Sequence, residues 1–559
     1  MSSNKDRTAA RVLVESLSLH GVRRVFCVPG ESYLSVLDAL YDSNIELVVA
    51  RHEGGAAMMA DAHGKLTGQP GICMVTRGPG ATNASSGVHI ASLDATPMIL
   101  FIGQVARDMR GRGAFQEIDY SQMFGGMAKW VVEIDDAARV SELVSRAFHM
   151  ATSGRPGPVV VALPEDMLAD AASMVVADRF APPISGPPEA ATNAIMASLS
   201  RARRPLVIVG GGGWTQRTGA ALRVFAERNG LPVGGAFRAQ DYLDNRSESY
   251  VGDVGLGINP KLAARIRESD WLLLLGTRMD EVPSGGYDYL KIPRPAQFIV
   301  HVHQDPNELG RVYQNDIGVV AASEAMVEAL ATAVPSAERQ GWSSWRREAR
   351  ADYERYSTPT RTPGALQMST VMRHLNETLP DDAIITNGAG NYTVWVHRFY
   401  RYRNYRTQLA PVAGSMGYGL PAAIAAKLEH PDRTVVCFAG DGCLQMTIQE
   451  LGTARQTDVG IIVLVVNNGT YGTIRMHQER NFPGRVSGTD IVNPNFVAVA
   501  QAYGLHAEMV ERDEDFPAAF RRAADSGKTA LVELRVDPQA LTPGMTLDQI
   551  REAATAAGR

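Results

Sequence analysis

The chain has 559 residues, with 55 basic against 60 acidic side chains and a formal net charge of -5. That length supplies about three domains, each able to bury a core of its own. The near-balance of charge leaves no basic face for nucleic acid, and no Lys/Arg block marks a membrane surface, so small-molecule chemistry is the expectation. Cys27, Cys73, Cys437 and Cys443 lack metal-knuckle spacing; three of them sit in or beside apolar runs, and all four read as buried thiols.

Met1 to Arg7 has no apolar stretch of the kind a secretory leader needs, and no apolar run approaches a membrane span, so a soluble cytoplasmic protein is expected. Strand-like runs then follow at Arg24–Val28, Glu46–Ala50, Gly71–Val75 and Met98–Ile102. They alternate with helical stretches at Tyr33–Tyr41 and Gly54–Lys65, which predicts a parallel α/β sheet. Val159–Leu163 closes this first unit, and Ala181–Pro188 reads as a Pro-rich linker. A second α/β unit opens at Pro205–Val209 and runs to about Ala333, a polar helical connector reaches Pro363, and a third unit runs to about Arg535. Asp548–Ala557 reads as a terminal helix. The predicted domains are 1–175, 190–335 and 360–540, with a tail at 541–559, and the fold class is α/β with three doubly wound parallel sheets.

In the third unit Arg433–Ala439 reads as a buried strand and Gly440–Asp441–Gly442 as the tight turn that leaves it. Glycines there let backbone N–H groups approach phosphate oxygens. A second apolar run, Gly460–Val466, carries Asn467–Asn468 to the end of a neighbouring strand. Asp441, Asn468 and the carbonyl of Thr470 then offer hard oxygen ligands to one cation, a set that suits Mg²⁺ completed by phosphate and water.

The Gly-Asp-Gly to Asn-Asn pattern resembles the thiamin diphosphate (ThDP) fingerprint, and the resemblance runs along nearly the whole chain, being closest to acetolactate synthase. It implies pyrimidine-binding, central and diphosphate-binding domains in that order. It also implies a homodimer or homotetramer with active sites at the dimer interface, because Glu53 and the metal motif lie in different domains.

Glu53, in Arg51–Ala57 after the second strand, resembles the family glutamate that meets the aminopyrimidine ring. There a carboxyl promotes the 4′-imino form that removes the C2 proton of the thiazolium. The alternative reading of Glu53 is a helix N-cap. Arg77–Asn83 reads as a Gly/Pro loop beside the pyrimidine, and the implied cofactor contacts include Pro29, Thr76, Pro79 and Asn83. Phe115 and Gln116 resemble the residues brought to the reacting centre: Gln116 as donor to a carbonyl oxygen gaining negative charge, Phe115 as a pocket wall. Met416, within Ala413–Pro421, fits the apolar residue under the bent cofactor. Gly390, Asn391, Tyr392, Gly414, Gly440, Gly442, Cys443, Tyr471 and Gly472 complete the implied cradle, with Asn391 and Tyr392 in place of the usual Gln-His. Ile474 and His477 fall in the implied substrate pocket.

Some positions depart from biosynthetic acetolactate synthases. Glu31 after Pro29–Gly30 resembles the acidic turn of pyruvate decarboxylase-like enzymes and pulls toward aldehyde release, although the paired histidines of those enzymes are absent. Val282 stands in place of an Arg, Glu165 in place of a Lys, and His477 in place of a Trp. Two cations lost and two carboxylates gained weaken recruitment of a second anionic substrate. Gly210–Gly213 does not complete G-x-G-x-x-G, and no Met-His-Gly stands near Val251–Gly255; both count against FAD, and the central domain reads as structural or as a nucleotide holder. The resemblance implies decarboxylation of a 2-oxo acid, pyruvate foremost, and ligation of the acyl-anion equivalent to an acceptor. The alternatives are a non-ligating decarboxylase, a ThDP carbon-carbon lyase, and a cofactor-binding protein without turnover.

Overall fold

The computed structural model describes residues 7–181, 185–333 and 342–558. Pro182, Pro183 and Ile184 of the expected linker, and Met1 to Asp6 of the expected leaderless start, lie outside the described residues. The chain divides into two compact units. The first is Met1–Pro183 with Leu420–Pro431 and Thr447–Val459; the second is Ile184–Gly419, Asp432–Met446 and Gly460–Arg559.

The first unit carries six parallel strands, β1 (Arg24–Cys27), β2 (Glu46–Val49), β3 (Gly71–Val75), β4 (Met98–Gln104), β5 (Trp130–Glu133) and β6 (Pro158–Pro164), in the order β2-β1-β3-β4-β6-β5. β3, β4 and β6 are buried at every residue, as strands covered on both faces must be, which is why they read in the sequence as continuous apolar runs rather than alternating ones. The chain turns one way from β1 to β2 and the other way to β3. The carboxyl ends of β1 and β3 therefore flank a topological switch point, where open α/β sheets bind ligands.

The second unit carries two sheets. One holds β7 (Pro205–Val209), β8 (Val233–Ala236), β9 (Tyr250–Val254), β10 (Trp271–Leu275), β11 (Phe298–His303) and β12 (Ile317–Val320), ordered β12-β11-β10-β7-β8-β9. The other holds β13 (Ile384–Asn387), β14 (Gln408–Leu409), β15 (Val435–Gly440), β16 (Ile462–Asn467), β17 (His506–Val510) and β18 (Ala530–Arg535), ordered β14-β13-β15-β16-β18-β17. Its switch point falls between β13 and β15, so the loops Gly388–Asn391 and Gly440–Gly442 meet there.

At the switch point between β7 and β10 the Gly210–Gly213 turn serves packing. Gly211 sits at φ +72°, and a Cβ there would lie 2.0 Å from the carbonyl oxygen of Gly276, so only glycine lets these two loops close on each other. The terminal helix Leu547–Ala556 opens with a capping box between Thr546 and Gln549. It is not a loose tail: Leu547 and Ile550 bury against Leu541 and Met476, the last on the helix Gly472–Asn481. Among the described residues no helix is long and apolar enough to cross a membrane.

Candidate active site

Glu53 is the first residue of the helix Glu53–Thr67, at the carboxyl end of β2. The alternative reading of Glu53 as the cap is corrected: the cap is His52, whose ring accepts from the Gly54 N–H at 3.0 Å, while Glu53 stands in the first turn, where the dipole favours its charge. The Glu53 carboxylate is thereby spared for another partner, and its Oε2 accepts from Asn83 Nδ2 at 2.9 Å. Asn83 lies in the helix Pro79–Asp94, which corrects the reading of Arg77–Asn83 as a loop throughout. Gly78 makes the turn at φ +61° and Pro79 occupies the first helical turn, where its missing N–H and fixed φ cost nothing. The two helices approach closely because their contact residues are small, a Cβ on Gly87 falling 2.3 Å from that of Ala57.

The corner preceding Glu53 rests on a side chain that sequence reasoning missed. Glu450 is fully buried and accepts from the Arg51 N–H through both oxygens at 3.2 Å and from Thr453 Oγ1 at 2.6 Å. Gly55 makes room for it, since a Cβ there would sit 2.5 Å from Glu450 Oε1. Burial pushes the Glu450 carboxyl up from its ordinary value.

Beside this corner, Arg77 closes β3 with its side chain 9% exposed, and it joins the two departures noted in the sequence. Its Nη2 donates to Glu31 Oε1 at 3.0 Å and its Nη1 to Glu165 Oε2 at 2.9 Å. The two carboxylates gained share one cation: Arg77 neutralises one unit of their charge. Gln116 takes the left-handed conformation, φ +65°, against the Gly78 turn, where a Cβ on Gly78 would lie 2.7 Å from its own. Phe115 beside it is 73% exposed in the chain. Thr76 bonds Ser32 through their hydroxyls at 2.8 Å, and Pro29 and Pro79 are exposed on the two loops of this edge.

In the second unit, Asp441 begins a short helix, Asp441–Gln445, rather than a simple turn. Gly440 holds extended backbone at its start, and the carboxylate at the helix N-terminus is favoured by the dipole. Asp441 is 3% exposed. Its Oδ1 accepts from the Gly442 N–H at 2.9 Å, and its Oδ2 accepts from the Gly469 N–H at 2.8 Å and from Asn493 Nδ2 at 2.7 Å. Burial raises its pKa against these neutral donors, which is the setting of a carboxylate that a cation would complete. Asn468 Oδ1 accepts from the Thr470 N–H at 3.1 Å, and the Thr470 carbonyl accepts from Gly472 N–H at 2.8 Å. Hard oxygens, one charged and two neutral, fit Mg²⁺ better than a soft metal. Asn493 was invisible to motif reading, yet it also donates to Asn467 Oδ1 at 2.9 Å, while Asn467 Nδ2 donates to buried Glu533 at 2.7 Å. These partners hold the carboxylate and amide oxygens in orientation.

Cys443 and Tyr392 are buried pegs between the loops of this site. The Cys443 sulfur accepts from the Gly417 N–H at 3.2 Å and lies 3.3 Å from the Tyr392 hydroxyl, which accepts from the Gly388 N–H at 3.1 Å. The Tyr392 ring lies against Gly440 and Gly390, whose Cβ positions it would crowd at 3.0 Å. Asn391 is tied to Thr473 by two bonds of 3.0 Å. Met416 is half-buried against the core of the third sheet, and Gly414 faces open space at φ +67°. Tyr471 covers Gly442, while Ile474 and His477 are exposed on the helix Gly472–Asn481.

A buried chain of polar groups backs the Gly388 loop. Arg238, at φ +67°, donates from Nη2 to the Gly388 carbonyl at 3.2 Å and from Nη1 to His397 Nε2. A guanidinium is always protonated, so His397 must be neutral with its proton on Nδ1, which faces Asp253 Oδ2 at 4.0 Å. Burial lowers His397 well below its ordinary value and pushes Asp253 up to about 8, so the two meet as neutral groups at pH 7.

Comparison with known proteins finds three matches along the chain. The model of the N-terminal thiamine pyrophosphate (TPP) binding domain of TPP enzymes matches residues 7–123, that of their central domain residues 192–330, and that of their C-terminal TPP binding domain residues 388–534. The large subunit of acetolactate synthase isozyme 2 from Escherichia coli K12 is 29% identical over 533 residues, covering 94% of this chain and 95% of that protein. Acetolactate synthase from Mycobacterium bovis is 32% identical over 525 residues, 91% of this chain and 84% of its own. The chloroplastic acetolactate synthase 2 of Nicotiana tabacum is 30% identical over 559 residues, 96% and 83%.

Proposed function

The chain belongs to the thiamine pyrophosphate enzymes, in kinship with the acetolactate synthases, and from that premise we propose that it decarboxylates a 2-oxo acid, pyruvate foremost, and ligates the two-electron fragment to a carbonyl acceptor. The observation that carries this reading is the pair of carboxylates at the carboxyl ends of β2 and β15: Glu53 with one neutral donor, and Asp441 buried among three.

When bound, thiamin diphosphate supplies a carbon nucleophile and an electron sink for the pair released with CO₂. Glu53 would hold a proton beside the aminopyrimidine and supply or take it back as needed. Asp441, Asn468 and the Thr470 carbonyl would hold Mg²⁺, whose charge would offset that of the diphosphate. The Gly388 and Gly440 loops present backbone N–H groups to phosphate oxygens, pegged from behind by Tyr392 and Cys443. Gln116, fixed by its left-handed backbone, donates toward the substrate carbonyl as charge develops. FAD has no role in this reading. Because the two carboxylates belong to different compact units, a homo-oligomer, dimer or tetramer, is part of the proposal, as is a cytoplasmic location.

One observation favours a second reading, aldehyde release: Glu31 stands at the carboxyl end of β1, 66% exposed in its side chain. Proton NMR of the purified protein with thiamin diphosphate, Mg²⁺ and pyruvate separates the two. Acetolactate or acetoin supports ligation, acetaldehyde as sole product supports release, and pyruvate left unchanged, together with a panel of other 2-oxo acids, contradicts both.

A further inference from the structure

The ends of three strands converge on one guanidinium. Glu31 arrives from the loop after β1, Arg77 from the end of β3 and Glu165 from the end of β6. Arg77 is held in place along its length. Its N–H donates to Ser32 Oγ at 3.3 Å, its guanidinium is nine-tenths buried, and each Nη nitrogen already donates to a protein carboxylate, at 3.0 and 2.9 Å.

An arginine at a switch-point crevice is the group expected to clamp a substrate carboxylate in a two-pronged bond. Here each Nη nitrogen already serves a protein carboxylate, so a third carboxylate can reach only the remaining N–H bonds of a guanidinium flanked by two negative groups. The cluster's formal charge is one negative, from two carboxylates and one guanidinium, and its outer member Glu31 is the most exposed of the three.

The two substrates feel this differently. The donor's carboxylate departs as CO₂, so leaving it unclamped does not stabilise the ground state against its loss. The electron pair left behind adds to the acceptor carbonyl carbon, and a proton goes to the carbonyl oxygen. Any carboxylate on the acceptor survives into the product and stays beside a cluster of net negative charge throughout.

Resting on the ligation reading above, we propose that Glu31, Arg77 and Glu165 form a specificity device that selects an uncharged carbonyl acceptor, an aldehyde, over an acceptor bearing a carboxylate. A second 2-oxo acid is used only when no neutral acceptor competes.

The test is a competition between butanal and succinic semialdehyde, which share a four-carbon aldehyde frame and differ by a terminal carboxylate. The holoenzyme is given both at equal concentration with pyruvate as donor, and the two ligation products are measured by proton NMR. At low ionic strength the butanal product should lead by on the order of tenfold, the size of one charge contact in a partly aqueous site. The ratio should fall toward one as salt screens the cluster. Glu165→Gln and Glu31→Gln should each move the ratio several-fold toward the anionic acceptor, the double variant furthest. The ratio is internal to each sample, so a partly folded variant lowers both products together and leaves it intact. Equal use of the two aldehydes by the wild-type protein, or a preference unmoved by salt and by both substitutions, overturns the inference while CO₂ release stands. Absence of CO₂ release from every 2-oxo acid overturns the ligation reading itself, and this inference with it.

Discussion

The two carboxylates at strand ends of the first and third sheets, Glu53 after β2 and Asp441 after β15, are treated in opposite ways by their surroundings. Glu53 meets one neutral amide, Asn83, at the mouth between two helices, while Asp441 is almost fully enclosed and meets two backbone N–H groups and Asn493. A carboxylate that exchanges a proton must be able to exist in both states, and a web of donors would lock it in one. A carboxylate that anchors a cation has the reverse need, a fixed orientation and a deficit of positive charge that the ion makes good. The same functional group at the carboxyl ends of strands in two sheets is thus assigned two roles by its neighbours.

Breaking the anchoring carboxylate should have the largest effect. Asp441→Ala should lower apparent Mg²⁺ affinity by more than about a hundredfold, since even outer-sphere partners of a metal ligand cost about 10–100-fold; isothermal titration with thiamin diphosphate and Mg²⁺ reads this. Asn493→Ala leaves the ligand in place but frees it to turn, and about a tenfold loss in the same titration is expected. If the two variants behave alike, orientation counts for as much as charge at this site.

A smaller effect is expected from the buried chain behind the Gly388 loop. The Asp253 pKa is pushed up to about 8 by burial, so the folded protein keeps a proton that the unfolded chain releases near the ordinary carboxyl value. The folded state binds more protons between pH of about 4 and 8, and stability must fall as pH rises through that window. Asp253→Asn should flatten this part of the melting temperature against pH, while the wild-type curve declines; parallel curves would mean that Asp253 is ionised in the folded state. Mildest is His52→Ala, which removes the helix cap beside Glu53 and should cost about 1 kcal/mol in chemical denaturation.

Much of the architecture was legible in the sequence. Gly71–Val75 and Pro205–Val209 are strands with the boundaries their apolar runs suggested, because strands covered on both faces need apolar side chains at every position. Glu53, Asp441 and Asn468 stood out as candidates because a motif is local. Asn493, Glu450 and Glu533 were not, since each acts on a residue far away in sequence through a single side chain, with no pattern of its own. The pairing of Arg77 with both Glu31 and Glu165 was hidden for the same reason. Nor did chain order reveal that Leu420–Pro431 and Thr447–Val459 fold into the compact unit of the first sheet.

The central claim is that Glu53 is a proton-exchanging group and Asp441 is not. It is tested most directly by hydrogen-deuterium exchange at C2 of enzyme-bound thiamin diphosphate, followed by quench and proton NMR for the wild-type protein and for Glu53→Gln. The account predicts rapid exchange in the wild type and a loss on the order of 10²–10⁴-fold in Glu53→Gln, the range of a lost acid-base group, with cofactor affinity kept within a few fold. Exchange in Glu53→Gln as fast as in the wild type, with the cofactor bound, would contradict it.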